Sequence, residues 1–197
     1  MTHEQLLSLA AFAFVTSITP GPNNLMLMAS GANFGVRRTV PHMLGVALGF
    51  VFMAVLVGAG LAGVFAAVPQ LHTALKAVSV AYLLYLAWKI ATAAPPGEAG
   101  RVGRPMTFLA AAAFQWVNPK AWAMALTAVS VYAPSRGIAG LAVVAAVFGL
   151  VNLPSVGAWT VLGQGMRRVL TNPGRMRAFN VVMAVLLVAS LYPVVAP

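Results

Sequence analysis

Two polar, proline-containing stretches interrupt segments of the chain that are otherwise almost purely apolar. The first covers residues 19–24 (Thr-Pro-Gly-Pro-Asn-Asn) and the second covers residues 115–120 (Gln-Trp-Val-Asn-Pro-Lys). Proline removes a helix hydrogen bond and clashes with the preceding turn, so in hydrocarbon the freed backbone groups need protein partners or a wet cavity. The pair of breaks therefore predicts a site for a polar solute inside a membrane.

Each break is also expected to start a new half-helix. Asn118 followed by Pro119 is typical of an N-cap and a first helical residue, and Gly21 is expected to adopt a left-handed turn before Pro22. The N-terminus of a half-helix attracts carboxylates, while the carbonyl end of the preceding half-helix accepts hydrogen bonds from an ammonium. A zwitterionic amino acid carries both of these groups.

Neutral amides and one lysine complete the predicted site. Lys120, the only basic residue deep in an apolar segment, is predicted to offer its charge to a cargo carboxylate, and Asn152 is expected to add a polar wall. The alternative is structural, with prolines that kink packed helices and a lysine that extends to the interface. The predicted substrate-binding residues are Thr19, Pro20, Gly21, Pro22, Asn23, Asn24, Gln115, Asn118, Pro119, Lys120 and Asn152.

The chain has two acidic side chains, and neither lies in an apolar segment. They are Glu4 and Glu98. A proton relay through a buried carboxylate, a cationic cargo and a divalent metal are therefore disfavoured, and no cofactor is expected. An enzyme would need a nucleophile with a base, paired acids or a metal cluster, which the apolar segments lack. Histidine is the side-chain type that can titrate near neutral pH, and for His42 a structural role and a coupling role both stay open.

The composition predicts the surroundings in which these residues must be positioned. Of the 197 residues, 61% are hydrophobic and 7% are charged, and the mean hydropathy is +0.91. This predicts an all-α protein of the lipid bilayer, and the net charge of +10 indicates membrane orientation instead of nucleic-acid binding. At about 20 residues per span, residues 1–197 form a single domain of six spans. The apolar runs cover roughly 5–33, 40–63, 71–92, 106–133, 138–163 and 177–195.

The basic residues predict the orientation of the spans. The first, third and fifth connections with their flanks hold nine Lys or Arg residues, whereas the opposite side holds only Lys76 and Arg136. By the positive-inside rule the richer side is cytoplasmic, which places both termini outside. The halves, about 1–93 and 105–197, then run in opposite directions as an inverted 3+3 repeat, with the first and fourth helices broken near the midplane.

Small residues in the second predicted span indicate close helix packing. Gly45 and Gly49 are separated by one helical turn, a spacing that lets two helix backbones approach each other. The partner is either another helix of the same chain or a second copy in a homodimer.

Five segments, taken in order along the chain, resemble the LysE/RhtB family of amino-acid exporters. They are residues 19–24, 35–38, 45–49, 81–89 and 114–120. Among its branches, the chain looks most like the cysteine/O-acetylserine exporters. The resemblance implies six spans, a bacterial inner-membrane location, and proton-driven export of amino acids or close derivatives. Many members carry an acid directly after the Pro-Gly-Pro turn, where this chain has Asn23, which agrees with a neutral, zwitterionic cargo.

These observations together favour a secondary exporter that works by alternating access and takes a small amino acid as its substrate. A membrane scaffold or assembly subunit without transport activity is the alternative. It explains the hydrophobicity and the glycines but gives no reason for two breaks at matching depth.

Overall fold

The computed structural model describes residues 1–68, 70–93, 103–133 and 137–192. Within these ranges the regular structure is helical and contains no strand. Glu98, Arg136, and the end of the sixth predicted span beyond residue 192 lie outside the described residues.

The N-terminal half begins with two helices where one span is predicted. The α-helices of this half are α1 (His3–Ile18), α2 (Pro22–Phe34), α3 (Val36–Leu56), α4 (Ala62–Ala67) and α5 (Gln70–Ala91). A π-helical turn, Val57–Leu61, joins α3 to α4, and Gly60 within it has a φ of 129°, which glycine adopts without steric cost. Residues 19–21 separate α1 from α2.

The C-terminal half begins with two shorter helices and continues with two longer ones. Its α-helices are α6 (Phe108–Phe114), α7 (Pro119–Tyr132), α8 (Ile138–Met166) and α9 (Pro173–Ala189). A 3-10 turn, Gln115–Val117, extends α6, and Asn118 separates it from α7. Helix α9 begins before the predicted residue 177, because the Asn172 side chain caps its first turn and Pro173 occupies its first position.

The outer surface is apolar. In the part of the chain that the structure describes, three helical stretches are long and apolar enough to cross a membrane, Val36–Ala67, Gln70–Ala91 and Ile138–Met166, and Phe108–Val117 is a shorter apolar stretch. Leu109, Ile138 and Leu150 are each at least 75% exposed. Such a surface is unfavourable in water and normal in lipid, so the chain is a multi-pass, all-α membrane protein.

Helix α8 forms one wall along which α1 and α2 follow each other. Near its C-terminal end, Trp159 contacts the end of α1, and Arg167 donates to the backbone carbonyls of Ala32 and Asn33 at the end of α2, at 2.8 Å each. Helices α2 and α8 are in close contact at Gly163, which faces the backbone of Met28, and at Gly31, which faces the backbone of Thr160. The two broken pieces therefore lie along the same continuous helix.

Helix α3 also packs against α8 and α6, and α5 packs against α9. Gly45 and Gly49 of α3 lie directly against Phe108 and Ala112 of α6, where any larger residue would meet backbone atoms. The small-residue face predicted from the sequence thus packs within the chain.

Candidate functional site

Helix α1 ends at the first break with several backbone carbonyls that no intrahelical amide can reach. We refer to the carbonyls of Ser17, Ile18, Thr19 and Pro20 as the α1 carbonyl end. The last carbonyls of a helix carry its partial negative charge and need partners from outside the helix. Side chains of three other helices, α2, α7 and α8, supply those partners.

Asn24 and Trp159 satisfy the inner part of the α1 carbonyl end. Asn24 Nδ2 donates to the carbonyl oxygens of Ser17 and Thr19, at 2.8 Å each. Trp159 Nε1, from α8, donates to the carbonyl oxygen of Ile18 at 2.9 Å. Asn24 is buried, so its amide is committed to holding the break closed.

Lys120 satisfies the outer part. Its Nζ lies 2.7 Å from the carbonyl oxygen of Thr19, 3.1 Å from Thr19 Oγ1 and 3.4 Å from the carbonyl oxygen of Pro20. The predicted charge in the site is therefore present, but it contacts helix carbonyls instead of lying free for a carboxylate. The structural alternative, in which Lys120 extends away to the interface, does not match these contacts.

The second break is built as the sequence predicts. The Asn118 side chain accepts a hydrogen bond from the backbone amide of Lys120 at 3.2 Å, and Pro119 is the first helical residue of α7. Trp122 Nε1 donates to the carbonyl oxygen of Trp116 at 2.9 Å, which satisfies part of the exposed end of the preceding turn.

A pair of amides joins the two breaks directly. Asn23 Nδ2 donates to Gln115 Oε1 at 2.9 Å, and Gln115 Nε2 donates back to Asn23 Oδ1 at 3.3 Å and to the carbonyl oxygen of Ala111 at 2.8 Å. Gln115 is fully buried. The breaks, which are almost one hundred positions apart in the chain, are therefore in contact.

A small cavity of about 30 Å³ lies between the two breaks. A water molecule needs roughly 10–15 Å³ of such space, so the cavity has room for water but not for an amino acid. Seven of its twelve described lining residues have polar side chains, and Lys120 is the one charged residue among them. These are Thr16, Ser17, Gly21, Asn23, Asn24, Phe50, Asn118, Lys120, Ala121, Met124, Asn152 and Val156.

Some polar groups at the cavity are left without a protein partner. Ser17 Oγ is buried and has no hydrogen-bond partner among the described residues. Gly21 precedes α2 and has no side chain to cap it, so among the described residues the first-turn amides of Asn23 and Asn24 have neither an intrahelical nor a capping partner. The wall thus combines unused donors at the start of α2 with occupied acceptors at the end of α1.

The predicted left-handed conformation of Gly21 is wrong. Its φ and ψ are −178° and 177°, an extended backbone that any residue adopts. The structural requirement for glycine comes from space, since a Cβ at this position would lie 2.8 Å from Lys120 Cδ and 3.2 Å from Nζ. Glycine lets the lysine side chain cross the break.

The structure brings most of the predicted site residues together and adds others that sequence reasoning missed, among them Ser17 and Trp159. Among the predicted residues, Gly21, Asn23, Asn24, Asn118, Lys120 and Asn152 line the cavity, Thr19 and Pro20 bind Lys120, Gln115 binds Asn23, and Pro22 and Pro119 start the helices. Ser17 and Trp159 were missed. Trp159 lies seven residues after Asn152, so the shared helix face was a signal that could have identified it.

His42 lies apart from this site. It is 2% exposed within α3, and neither ring nitrogen has a partner among the described residues. The described lining of the cavity does not include it. In the same part of the chain, no group of three or more His, Asp or Glu side chains could hold a metal ion.

Comparison with known proteins gives one family. Residues 14–190 match the family model described as LysE type translocator. Proteins named cysteine/O-acetylserine efflux protein from Escherichia coli (strain K12), Escherichia coli O9:H4 (strain HS) and Shigella sonnei (strain Ss046) are each 30% identical to the chain. Each match extends over 191 residues and covers 95% of this chain and 96% of the relative. No solved structure matches the chain significantly.

Proposed function

Because the chain belongs to the family of LysE type translocators, we propose that it is a secondary exporter of neutral, zwitterionic amino acids or close derivatives. It is a transporter and not an enzyme. The observation that carries the proposal is that both helix breaks contribute residues to one cavity, Gly21, Asn23 and Asn24 from the first and Asn118 and Lys120 from the second. Thr16 and Ser17 from the end of α1 and Asn23 and Asn24 from the uncapped first turn of α2 all line this cavity.

The two kinds of helix end match the two charged groups of an amino acid. A carboxylate is stabilised by the uncapped first turn of α2 and by the start of α7, while an ammonium is stabilised by the α1 carbonyl end. The proposed site consists of the eleven residues predicted from the sequence. Thr19, Pro20, Gly21, Pro22, Asn23, Asn24, Gln115, Asn118, Pro119 and Asn152 form its wall, and Lys120 places its ammonium on the α1 carbonyl end.

The charges around the cavity favour a cargo without net charge. The whole chain has two acidic residues, and the described wall of the cavity includes neither of them. A cationic amino acid would need a counter-charge in the membrane that these residues do not supply. The curated relatives are named for efflux of cysteine and O-acetylserine, both small and zwitterionic, so we propose cargo of this size first.

Six spans arranged as an inverted repeat provide the alternating access that export requires. In such a repeat, the first, second and third spans correspond to the fourth, fifth and sixth. The contact between the first and fifth spans therefore corresponds to the contact between the fourth and second spans. Both contacts are among the most extensive in the fold. The first is formed by α1 and α2 against α8, and the second by α6 against α3. The contact of α3 with α8 joins the second span to the fifth, and the contact of α5 with α9 joins the third span to the sixth. Each of these contacts joins two corresponding spans. This pattern supports an inverted 3+3 repeat.

The proposed membrane is the bacterial inner membrane, with both termini on the extracytoplasmic side. The α2–α3 connection, with Arg37 and Arg38, lies beside the end of α8, where Gln164 Oε1 accepts from the Val36 amide at 2.7 Å. Ser8 of α1 meets Tyr132 at the end of α7, at 2.9 Å. The arginine-rich connections therefore collect away from the N-terminus, which supports a cytoplasmic position for them.

The cavity of about 30 Å³ must enlarge before cargo enters. The cross-half bonds at the breaks, above all the pair of Asn23 with Gln115 and the bonds of Lys120, then have to open and re-form. We propose that the described conformation is the occluded one. The alternative of a scaffold without transport activity gains no support from these contacts.

The test is transport by the purified protein in proteoliposomes. Vesicles are loaded with labelled cysteine, O-acetylserine, serine or threonine, with lysine and glutamate as charged comparators, and release is followed under a pH gradient of either sign. We expect release of neutral amino acids above the rate of protein-free vesicles. If no amino acid moves under any gradient, the export proposal is wrong, and if lysine moves as fast as the neutral set, the proposed cargo class is wrong.

A further inference from the structure

Lys120 binds the carbonyls that we assign to the cargo ammonium. Its Nζ contacts the Thr19 carbonyl oxygen, the Thr19 hydroxyl and the Pro20 carbonyl oxygen, at 2.7, 3.1 and 3.4 Å. A lysine side chain ends in a primary ammonium with three donors, the same group that an amino acid carries at its α-carbon. The protein thus already holds in place the chemical group that this position is suited to bind.

The lysine and a cargo ammonium cannot occupy this position together. Two like charges within a few ångströms of each other repel. The lysine arm also fills the space above Gly21, since even a Cβ there would lie 2.8 Å from Lys120 Cδ. Cargo can bind the α1 carbonyl end only if Lys120 moves away.

We propose that Lys120 is a tethered substitute for the cargo ammonium. It occupies the α1 carbonyl end when the carrier is empty, and the ammonium of the cargo displaces it when cargo binds. This inference rests on the proposed function and adds to it a specific ammonium subsite with a resident competitor.

The consequence concerns the empty half of the transport cycle. A carrier that returns without cargo must pass through the occluded conformation with its carbonyl end satisfied, since unsatisfied backbone groups are costly in a membrane interior. Lys120 satisfies it during that step. Net export requires the empty return and therefore requires Lys120, whereas exchange of internal for external cargo keeps the subsite filled by cargo throughout.

The experiment compares these two modes in Lys120→Met. Net efflux into cargo-free medium and exchange against saturating external cargo are measured on the same proteoliposomes. We expect net efflux to fall by about tenfold or more, because a helix end loses its cation, while exchange stays within about threefold of wild type. Lys89→Met, which removes an exposed lysine at the end of α5, is the matched control and should change neither rate.

Two outcomes overturn the inference while leaving the export function intact. Equal loss of exchange and net efflux in a folded Lys120→Met protein would make the lysine a direct cargo ligand or a structural residue. Unchanged net efflux would mean that the empty carrier does not need it. If the wild type neither exports nor exchanges any amino acid, the proposed function itself fails.

A measurement on the wild type keeps the inference testable if Lys120→Met does not fold. The chain has three lysines, Lys76, Lys89 and Lys120, so amine modification by methyl acetimidate can be assigned to each by mass spectrometry. Saturating cargo should raise the modification of Lys120 relative to Lys89. No rise, or protection of Lys120 by cargo, would contradict displacement.

Discussion

Asn23 and Gln115 exchange two hydrogen bonds, at 2.9 and 3.3 Å, and thereby join the first break of the chain to the second. Asn23 lies in the first turn of α2, and Gln115 directly follows the end of α6. Neither side chain can move far without changing the position of that helix end. The pair makes the two breaks one unit. In the proposed transport cycle, we expect this contact to connect cargo binding to the movement of the two halves.

Replacing Asn23 with leucine should abolish this connection. Gln115 would keep its bond to Ala111 but leave its buried carbonyl oxygen unpaired, which costs about 1–3 kcal/mol. We expect the Tm of the purified protein to fall and export to drop by at least about tenfold, with membrane insertion unchanged.

The matched control for Asn23→Leu is Asn33→Leu, in the same helix. Asn33 forms an equivalent buried amide pair with Asn180, at 2.8 and 3.2 Å, outside the described cavity lining. The Asn33→Leu variant should lower the Tm by a similar amount, while the folded protein still binds cargo. Normal export by Asn23→Leu would reduce the first break to a structural kink.

Asn118 should act first as a helix cap. Asn118→Leu removes the acceptor for the Lys120 amide and is expected to cost about 1 kcal/mol, whereas Asn118→Ser keeps a capping oxygen and should cost much less. We expect the leucine variant to lose both thermal stability and export. A serine variant as unstable as the leucine variant would contradict the capping role.

Close packing of α2 on α8 should make Gly163 intolerant of a single added carbon. A Cβ there would lie 2.8 Å from the backbone carbonyl carbon of Met28, so Gly163→Ala is expected to destabilise by about 1–3 kcal/mol. Gly165, two residues further along α8, has open space around it, and Gly165→Ala should leave the Tm unchanged or slightly raised. Equal Tm values for the two variants would show that α2 and α8 are not in backbone contact.

The proposed orientation can be tested without removing any native thiol, because the chain has no cysteine. Glu4→Cys and Arg168→Cys place single thiols at exposed positions separated by five proposed spans. In intact cells, a membrane-impermeant maleimide should label Glu4→Cys at once and Arg168→Cys only after permeabilisation. Labelling of both cysteines from the same side would exclude the inverted repeat. Labelling of Arg168→Cys alone in intact cells would show that the orientation is opposite to the proposed one.

Local features of the site could be predicted from the sequence because they depend on neighbouring residues. The Asn118–Pro119 cap needs a side chain and an amide two positions apart, and the lack of acidic residues is a matter of composition. The break at 19–21 and the break at Asn118 follow from proline chemistry in the same way. The apolar character and the membrane environment follow from hydropathy summed over each segment.

Contacts between distant residues could not be predicted in this way. Asn23 bonds to Gln115 across 92 positions, Lys120 to Thr19 across 101, and Trp159 to Ile18 across 141. Which donors meet which carbonyls depends on how the helices pack, and a lysine deep in a span is equally consistent with a cargo ligand, a snorkelling residue or a cap.

The sequence by itself determined that this chain enters a membrane, breaks two helices with polar residues and carries almost no negative charge. The tertiary structure decided that the breaks meet, that Gly21 is extended and provides room, and that the charge of Lys120 lies on the α1 carbonyl end. The physical reason is that a helix break creates unsatisfied backbone groups wherever it occurs, but only packing selects the side chains that satisfy them.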